Sequence, residues 1–469
     1  MPDGPHILII MPDQQRADCM GCAGHPVIRT PHMDRLAAEG MRFRRATTPS
    51  PLCMPARASF ISGLFPHQHR MWGNSGALPA EDATFFQSLQ RAGYRTAHIG
   101  KSHYYPHSAN DHLRNHEPYM RARGFDYLHE TTGPHATRRT NSYMTDHWER
   151  LGLLEAFRDD YGRRAKEGPL VVRQSPLPWE EFYDSYVGRQ AVEFVERHDE
   201  DRPTCMFVGF PGPHEPWDAA GQYATMYDPA KMPPAIPPEE DSPWLSESAR
   251  GKMSQGRITG MTPEAIGAIR ANYYGKISLI DYWVGRILDA YERRGWLDDT
   301  LVIFWSDHGE MAGDHGRLHK QVYHHGSADM PLIVRGPRKG AWQVRGGVVS
   351  DALVQTTDIY PTILELLGEK TPDRVAGRSL WPVLRDPAHV MREAASSEVL
   401  WRKEMRTLMV RTDRYKYVMD STGEGTHLFD EAEDPEERRN LVGHADYRAV
   451  EADMRDRALR FLMAEQEVW

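Results

Sequence analysis

His6-Ile7-Leu8-Ile9-Ile10-Met11-Pro12-Asp13 is a short, β-rich apolar run that stops on an acid. Unbroken apolar runs of this length, without alternation, mark strands buried on both faces. The run therefore reads as a central strand that delivers Asp13 to its carboxyl end. Two further runs share the pattern. Residues 205–210 are continuously apolar and lead to Pro213-His214, and residues 301–305 end in Ser306-Asp307-His308-Gly309. Helices are expected between them. One opens at Thr30-Pro31, another covers residues 85–92 and stops at Gly93, and a third covers residues 181–197. The clearest has Ile266, Ile269, Tyr273, Ile277, Ile280, Val284 and Ile287 at steps of three and four. Buried strands joined by helices predict an α/β fold: a large, mostly parallel sheet sandwiched by helices. In such sheets ligands gather outside the carboxyl ends of the strands, where Asp13, His214 and Asp307-His308 are expected to converge.

Residues 377–386 have linker character. Beyond them, residues 407–410 and 415–419 read as alternating strands around the turn Thr412-Asp413-Arg414, and residues 447–463 as a terminal helix. The expected division is a catalytic domain over residues 1–380 and a smaller C-terminal α+β subdomain over residues 381–469. Residues 229–244, rich in proline and acid, read as a surface loop.

Bulk composition narrows the function classes. The 469 residues are 40% hydrophobic and 26% charged, with a formal net charge of -9. A mildly acidic surface argues against a nucleic-acid or anionic-membrane partner. Four cysteines, Cys19, Cys22, Cys53 and Cys205, are too few for a disulfide framework in a chain this long. The first residues carry no basic segment, the apolar run at 7–11 is too short for a signal sequence, and no apolar run reaches a membrane span. The expected compartment is the cytoplasm.

Asp13-Gln14 and Asp307-His308 together offer two carboxylates, an amide oxygen and an imidazole, a donor set for Ca²⁺, Mg²⁺ or Mn²⁺. Either dipeptide alone also reads as a cap or a loop, but both directly follow buried strands. In Cys53-Met54-Pro55-Ala56-Arg57, Pro55 can sit in the first turn of a helix and leave Cys53 near its N-terminus, where the dipole favours an anion. A buried structural thiol is the competing reading. Cys19-Met20-Gly21-Cys22 has the spacing of a redox or metal pair; with no second pair, two structural thiols account for it better.

Cys-x-Pro-x-Arg after Pro49-Ser50-Pro51-Leu52, with Gly63-Leu64-Phe65-Pro66-His67 downstream, resembles the sulfatase signature. Gly100-Lys101-Ser102-His103, Pro213-His214 and Lys320 after Gly313-Asp314-His315-Gly316 resemble further elements of that family, in its order. Leu428-Phe429-Asp430 and Asp434-Pro435-Glu436-Glu437 are similar to its C-terminal subdomain. The resemblance implies an alkaline-phosphatase-like fold and sulfate ester hydrolysis. It also implies that Cys53 is oxidised by a formylglycine-generating enzyme and that its hydrated aldehyde attacks sulfur. Asp13, Gln14, Asp307, His308 and modified residue 53 would hold one divalent cation, Ca²⁺ first, with Mg²⁺ or Mn²⁺ as alternatives. Arg57 would hold the formylglycine hydroxyl and Lys101 would bridge it to a sulfate oxygen. Lys320 and His214 would flank the leaving oxygen, His214 as general acid, and His103 would deprotonate the second hydroxyl to regenerate the aldehyde.

The Asp-Gln and Asp-His pairs also resemble phosphonate monoester hydrolases and choline sulfatases, and Asn74 is similar to a substrate-side asparagine of the phosphonate branch. Lys101 and His103 follow the ordinary sulfatase pattern. The expected substrate is a small anionic sulfate ester. Phosphonate monoester or phosphodiester cleavage is the main rival, and a silent binding protein with an unmodified thiol the second. Trp72 and Tyr104 are expected to shape the pocket. The residues leave the oligomeric state open, a homo-oligomer included.

Overall fold

The computed structural model of the protein describes residues 4–199, 202–240, 242–254, 256–401 and 405–464. Its strands, in chain order, begin with β1 (His6–Asp13), β2 (Met41–Phe43), β3 (Ala46–Thr47), β4 (Arg95–Lys101) and β5 (Tyr127–Thr131). They continue with β6 (Thr204–Pro213), β7 (Thr300–Trp305), β8 (Leu332–Arg335), β9 (Val348–Ser350) and β10 (Val354–Gln355). The main sheet has eight strands in the order β5-β4-β6-β1-β7-β8-β2-β9, and β3 pairs with β10 apart from it. β1 lies at its centre, parallel to β6 and β7, with Ile9 opposite both Phe207 and Ile303. β8 runs antiparallel to both of its neighbours. The sheet is thus mostly parallel, as the apolar runs predict.

Alternate residues of β1 feed opposite layers. Ile7, Ile9 and Met11 pack with Phe60, Phe85 and Phe207 on one face. Leu8 and Ile10 pack with Ile277, Ile280 and Val284 on the other. The latter three belong to the helix Pro263–Arg293, which starts with a Thr262 side chain accepting from the Ala265 amide and Pro263 in the first turn. With both faces covered, the polar residues of β1, β6 and β7 are confined to the strand ends.

A second sheet is antiparallel: β11 (Ala395–Trp401), β12 (Met405–Arg411), β13 (Tyr415–Asp420) and β14 (Gly425–Asp430). The helix Arg448–Ala464 lays Met454 and Ala458 onto it. The sequence reading found the central pair and missed β11 and β14, which mix charged, polar and glycine residues and owe their form to their neighbours. The linker reading of residues 377–386 is corrected. This stretch holds the helix Trp381–Arg385, whose Trp381, Val383 and Leu384 are buried in the main core. Glycine and proline suggested a linker, but the indole decides the packing, and its Nε1 donates to the Thr362 carbonyl at 3.0 Å. The described residues of 229–244 are exposed or half-buried, with Glu239 and Ser242 buried as exceptions. No helix among the described residues is long and apolar enough to cross a membrane.

Trp381→Ala is expected to lower stability by roughly 3–5 kcal/mol, the cost of emptying a packed aromatic site. Urea unfolding checks this; a loss below about 0.5 kcal/mol, typical of an exposed position, would restore the linker reading.

Candidate active site

The carboxyl ends of β1, β4 and β7 meet at one side chain. Arg57 is fully buried, donating from Nη2 to Asp13 Oδ2 at 2.7 Å and from Nε to Asp307 Oδ2 at 2.8 Å. Its Nη1 reaches the carbonyls of Lys101 at 2.8 Å and Ser102 at 3.3 Å. Lys101 Nζ also donates to Asp13 Oδ2, at 2.5 Å. Burial opposes ionisation of Asp13, but Lys101 and Arg57 prevail and hold its carboxyl well below the usual range.

Arg57 and Cys53 share the helix Cys53–Ser62, all ten residues of which are buried. Pro55 falls in its first turn, where no amide partner is required. Its C-terminus turns at Gly63, φ 71°, whose amide donates to the Ser59 carbonyl. The side chain of Leu52 cannot cap the N-terminus, and Asn74 does so from another segment, accepting from the Met54 amide at 3.1 Å. Cys53 Sγ lies 3.7 Å from Asp13 Oδ1 and 3.2 Å from His308 Nε2.

Lys101 and His103 are set by an unusual backbone. Gly100 has φ +98°, and a Cβ there would meet the Gly209 carbonyl oxygen at 2.1 Å, so glycine is required for β4 and β6 to approach. His103 follows at φ 58°, its ring 4.9 Å from that of His107 and its buried Nδ1 without a hydrogen-bond partner. Burial, with Lys101 beside it, pushes the His103 imidazole well below its ordinary pKa.

On the opposite wall, Lys320 Nζ donates to His214 Nε2 at 2.7 Å and to Gln14 Oε1. His214 Nδ1 donates to the Glu215 carbonyl at 2.7 Å. Burial and Lys320 depress the His214 pKa, so the imidazole is neutral and accepts from the ammonium. Gln14, at φ 68°, sends Nε2 to Glu215 at 2.7 Å and to Glu310. Against the cost of burial, Glu215 raises His319 to about 9. The walls enclose a cleft of about 430 Å³ whose lining includes Cys53, Asn74, Lys101, His103, His214 and Lys320.

Asp13, Cys53, Asp307 and His308 form a buried group whose ligand atoms lie within 4.8 Å of one another. Arg57 and Lys101 take Asp13 Oδ2, leaving Oδ1 on the cysteine side. His308 Nδ1 donates to the Gly309 carbonyl at 3.0 Å, which leaves Nε2 as the nitrogen facing the group. Two carboxylates and an oriented imidazole suit a divalent cation, with a hydrogen-bonded outer shell of the kind metal ligands need. Gln14 stands beside this group with its Oε1 engaged by Lys320.

Several residues here were not singled out in the sequence. Lys276 is buried on the long helix and donates to the His214 carbonyl at 2.6 Å, the Pro216 carbonyl and Asp218. Its signal was a lysine inside an apolar helical stripe. Glu215 and Glu310 adjoin read motifs, and that adjacency was their only trace. Trp72 and Tyr104 are corrected: neither lines the cleft. Tyr104 is in the core, and Trp72 lies beneath Arg406. Cys19 and Cys22 are free, and burial raises the Cys19 thiol well above, and Cys22 to about 12, as expected of structural thiols.

A mostly parallel sheet that gathers fixed cations and a carboxylate–imidazole cradle at its carboxyl end defines a hydrolase of the alkaline-phosphatase-like α/β class. The Sulfatase family model matches residues 5–369, and a second, described as N-sulphoglucosamine sulphohydrolase, C-terminal, matches residues 313–464. The chain belongs to the Sulfatase family and is a sulfuric ester hydrolase. It is similar to an arylsulfatase of Clostridium perfringens, 29% identical over 455 residues that cover 95% of this chain and 91% of the relative. It is also similar to the multifunctional alkaline phosphatase superfamily protein PehA of Trinickia caryophylli, 29% identical with 98% and 96% covered. Among solved structures, the phosphonate monoester hydrolase of Agrobacterium radiobacter superposes with a TM-score of 0.80 at 26% identity, covering 98% of this chain and 96% of that one.

Arg57→Ala leaves Asp13 and Asp307 without their shared partner in a dry site. The expected loss of stability is about 3–5 kcal/mol, read by urea unfolding; a loss under about 1 kcal/mol would show that the carboxylates do not depend on Arg57.

Proposed function

We propose that the protein hydrolyses the sulfate ester of a small organic molecule through a formylglycine made from Cys53 and one divalent cation. The observation that carries this reading is the position of Cys53, at the N-terminal turn of a buried helix and facing Asp13 and His308 in a cation-lined cleft. Asp13, Asp307, His308 and modified residue 53 would hold the cation, joined by Gln14 once its Oε1 is released from Lys320, with Ca²⁺ first and Mg²⁺ or Mn²⁺ as alternatives. When present, the hydrated aldehyde supplies the attacking oxygen and the cation polarises the sulfate and orients both partners.

The chain's own residues do the rest. Arg57, immobile between two carboxylates, orients residue 53. Lys101 holds a sulfate oxygen from one side, and Asn74 lies on the substrate side of the same cleft. Fixed ammonium and guanidinium groups in a water-poor site act far more strongly than the distant surface acids. Lys320 carries the proton on Nζ, directed at the neutral His214 Nε2, and the pair passes it to the leaving oxygen. His103, neutral and with Nδ1 unengaged, takes the proton that residue 53 must lose to regenerate its aldehyde. A cleft of about 430 Å³ is the size of a small-molecule site. Cys53 is 1% exposed, so the formylglycine-generating enzyme must meet the chain before it folds.

Phosphonate monoester or phosphodiester hydrolysis is the second reading. The fold likeness to a phosphonate monoester hydrolase, together with the Asp-Gln and Asp-His pairs and Asn74 in the cleft, favours it as a rival or side activity.

The deciding experiment is a peptide mass spectrum across residue 53, from protein produced with the maturation enzyme, beside rates on an aryl sulfate and a phosphonate monoester. An aldehyde at 53 with faster sulfate cleavage is expected. Faster phosphonate cleavage would move the protein to the second reading, and an unmodified thiol without turnover would leave a binding protein. Cys53→Ala should abolish turnover with an unchanged circular dichroism spectrum. His214→Ala should slow poor leaving groups by about 10²–10⁴-fold and activated aryl esters far less; equal losses on both would sink the proton-donor role.

A further inference from the structure

Beyond the cleft, the loops on either side of Lys320 close over a second group of ligating side chains. Glu239, His315 and His324 are all buried, and one ligand atom from each lies within 4.8 Å of the others. Glu239 comes from the proline-rich loop, His315 from the turn after β7, and His324 from four residues beyond Lys320. The rings of His315 and His324 stand 4.1 Å apart. On β14, His427 brings another imidazole, its ring 6.0 Å from that of His324. Backbone bonds hold the loops together: the His315 amide donates to the Ile236 carbonyl, and the Ile236 amide to Asp314 Oδ1, each at 2.8 Å.

This group is not satisfied from within. His315 Nδ1 and both ring nitrogens of His324 are buried without a hydrogen-bond partner. Glu239 Oε1 comes to 2.8 Å from His324 Nε2, an ion-pair distance, and against the cost of burial His324 holds the Glu239 carboxyl well below its usual range. The other oxygen, Oε2, receives the Arg257 guanidinium. A carboxylate tied by one oxygen and turned toward two imidazoles with the other is how a ligating carboxylate with its outer partner is arranged.

We propose that Glu239, His315 and His324 form a binding site for a transition-metal dication of the zinc type, with His427 as the nearest further ligand. Two imidazoles and one carboxylate suit zinc, whereas the Asp13–Asp307 cradle suits a harder ion. A cavity of about 70 Å³, lined in part by His324, His427 and Phe429, adjoins the site on the His324 side. Its placement gives it a purpose. Lys320 lies between His315 and His324 in the chain, so an ion bound by both pins the segment that presents Lys320 to Gln14 and His214. Through His427 it would also fasten that segment to the second sheet. The competing account is an ion pair between Glu239 and a protonated His324, in a neighbourhood that already holds Arg257.

The test is zinc retention by chelator-stripped protein with calcium in large excess to fill the oxygen-rich cradle, read by elemental mass spectrometry after desalting. It is run on the unsubstituted protein, His315→Gln and His324→Gln, with circular dichroism as the fold control. The unsubstituted chain is expected to keep one equivalent of zinc that both variants lose. No retained zinc in the unsubstituted chain, or equal retention by both folded variants, overturns the proposal and leaves the ion pair. Should the variants not fold, anomalous diffraction at the zinc edge from zinc-soaked crystals of the unsubstituted protein decides. A peak between Glu239, His315 and His324 supports the site, and zinc found only elsewhere overturns it. None of these readouts depends on modification of Cys53.

Discussion

The guanidinium of Arg57 is the point on which the candidate site rests. It spans Asp13 at the end of β1 and Asp307 at the end of β7, and it reaches two carbonyls where β4 ends. Three strands that are distant in sequence are thereby held to one charged centre. A flexible ammonium could not replace it, because the bonds require a rigid, planar group with several donors at fixed angles. The same helix carries Cys53 one turn earlier, so the clamp that neutralises the two carboxylates also places the candidate nucleophile beside them. Buried ion pairs of this kind contribute little net stability. What this one supplies is position.

Charge is arranged on two scales. The chain as a whole carries a formal charge of -9, which repels an anionic substrate at long range. Around residue 53, three cations, Arg57, Lys101 and Lys320, stand against the two carboxylates Asp13 and Asp307. Salt and water screen the outer acids over about 10 Å, whereas the inner cations act across a few ångströms of low dielectric. Glu215 and Glu310 add two further carboxylates at the opposite wall, where they engage Gln14 and His319, so that wall is mixed in charge.

How much of this was legible depended on whether the signal was local. β1, β6 and β7 were readable because a strand buried on both faces is an apolar run, and its last residue is where the polar chemistry begins. Cys53, Arg57, Lys101, His103, His214 and Lys320 were picked out by short motifs, of which only Pro213-His214 lies at one of those ends. Residues placed by distant partners left no such trace. Trp381 looked like part of a linker until its indole was seen inside the core. Glu239 lay in an exposed acidic loop, and only the fold brings it to His315 and His324. Asn74 was read for its resemblance, while its bond to the Met54 amide, a cap supplied across twenty residues, is invisible to any local rule. Lys276 was hidden by the very periodicity that revealed its helix.

Backbone strain follows the same boundary. Among the described residues, nine non-glycine positions have positive φ, and six of them, Gln14, His103, Ala312, His315, His319 and Gln321, belong to the cleft or its adjoining loop. Each left-handed residue of this kind costs roughly 1–2 kcal/mol, and glycine would relieve the cost at every one. The strain persists because side chains are needed there and because the surroundings enforce it. Glu310 alone holds two points of the loop, accepting from the Ala312 amide at 2.9 Å and the His319 amide at 2.6 Å. Lys320 thus reaches His214 on a segment whose shape is imposed by a buried carboxylate at one end and by the Gln321 amide bonded to the Pro51 carbonyl at 3.0 Å at the other. Pro51 is two residues before Cys53. The loop that presents the ammonium and the turn that presents the candidate nucleophile are therefore tied directly, and a shift in either must move the other.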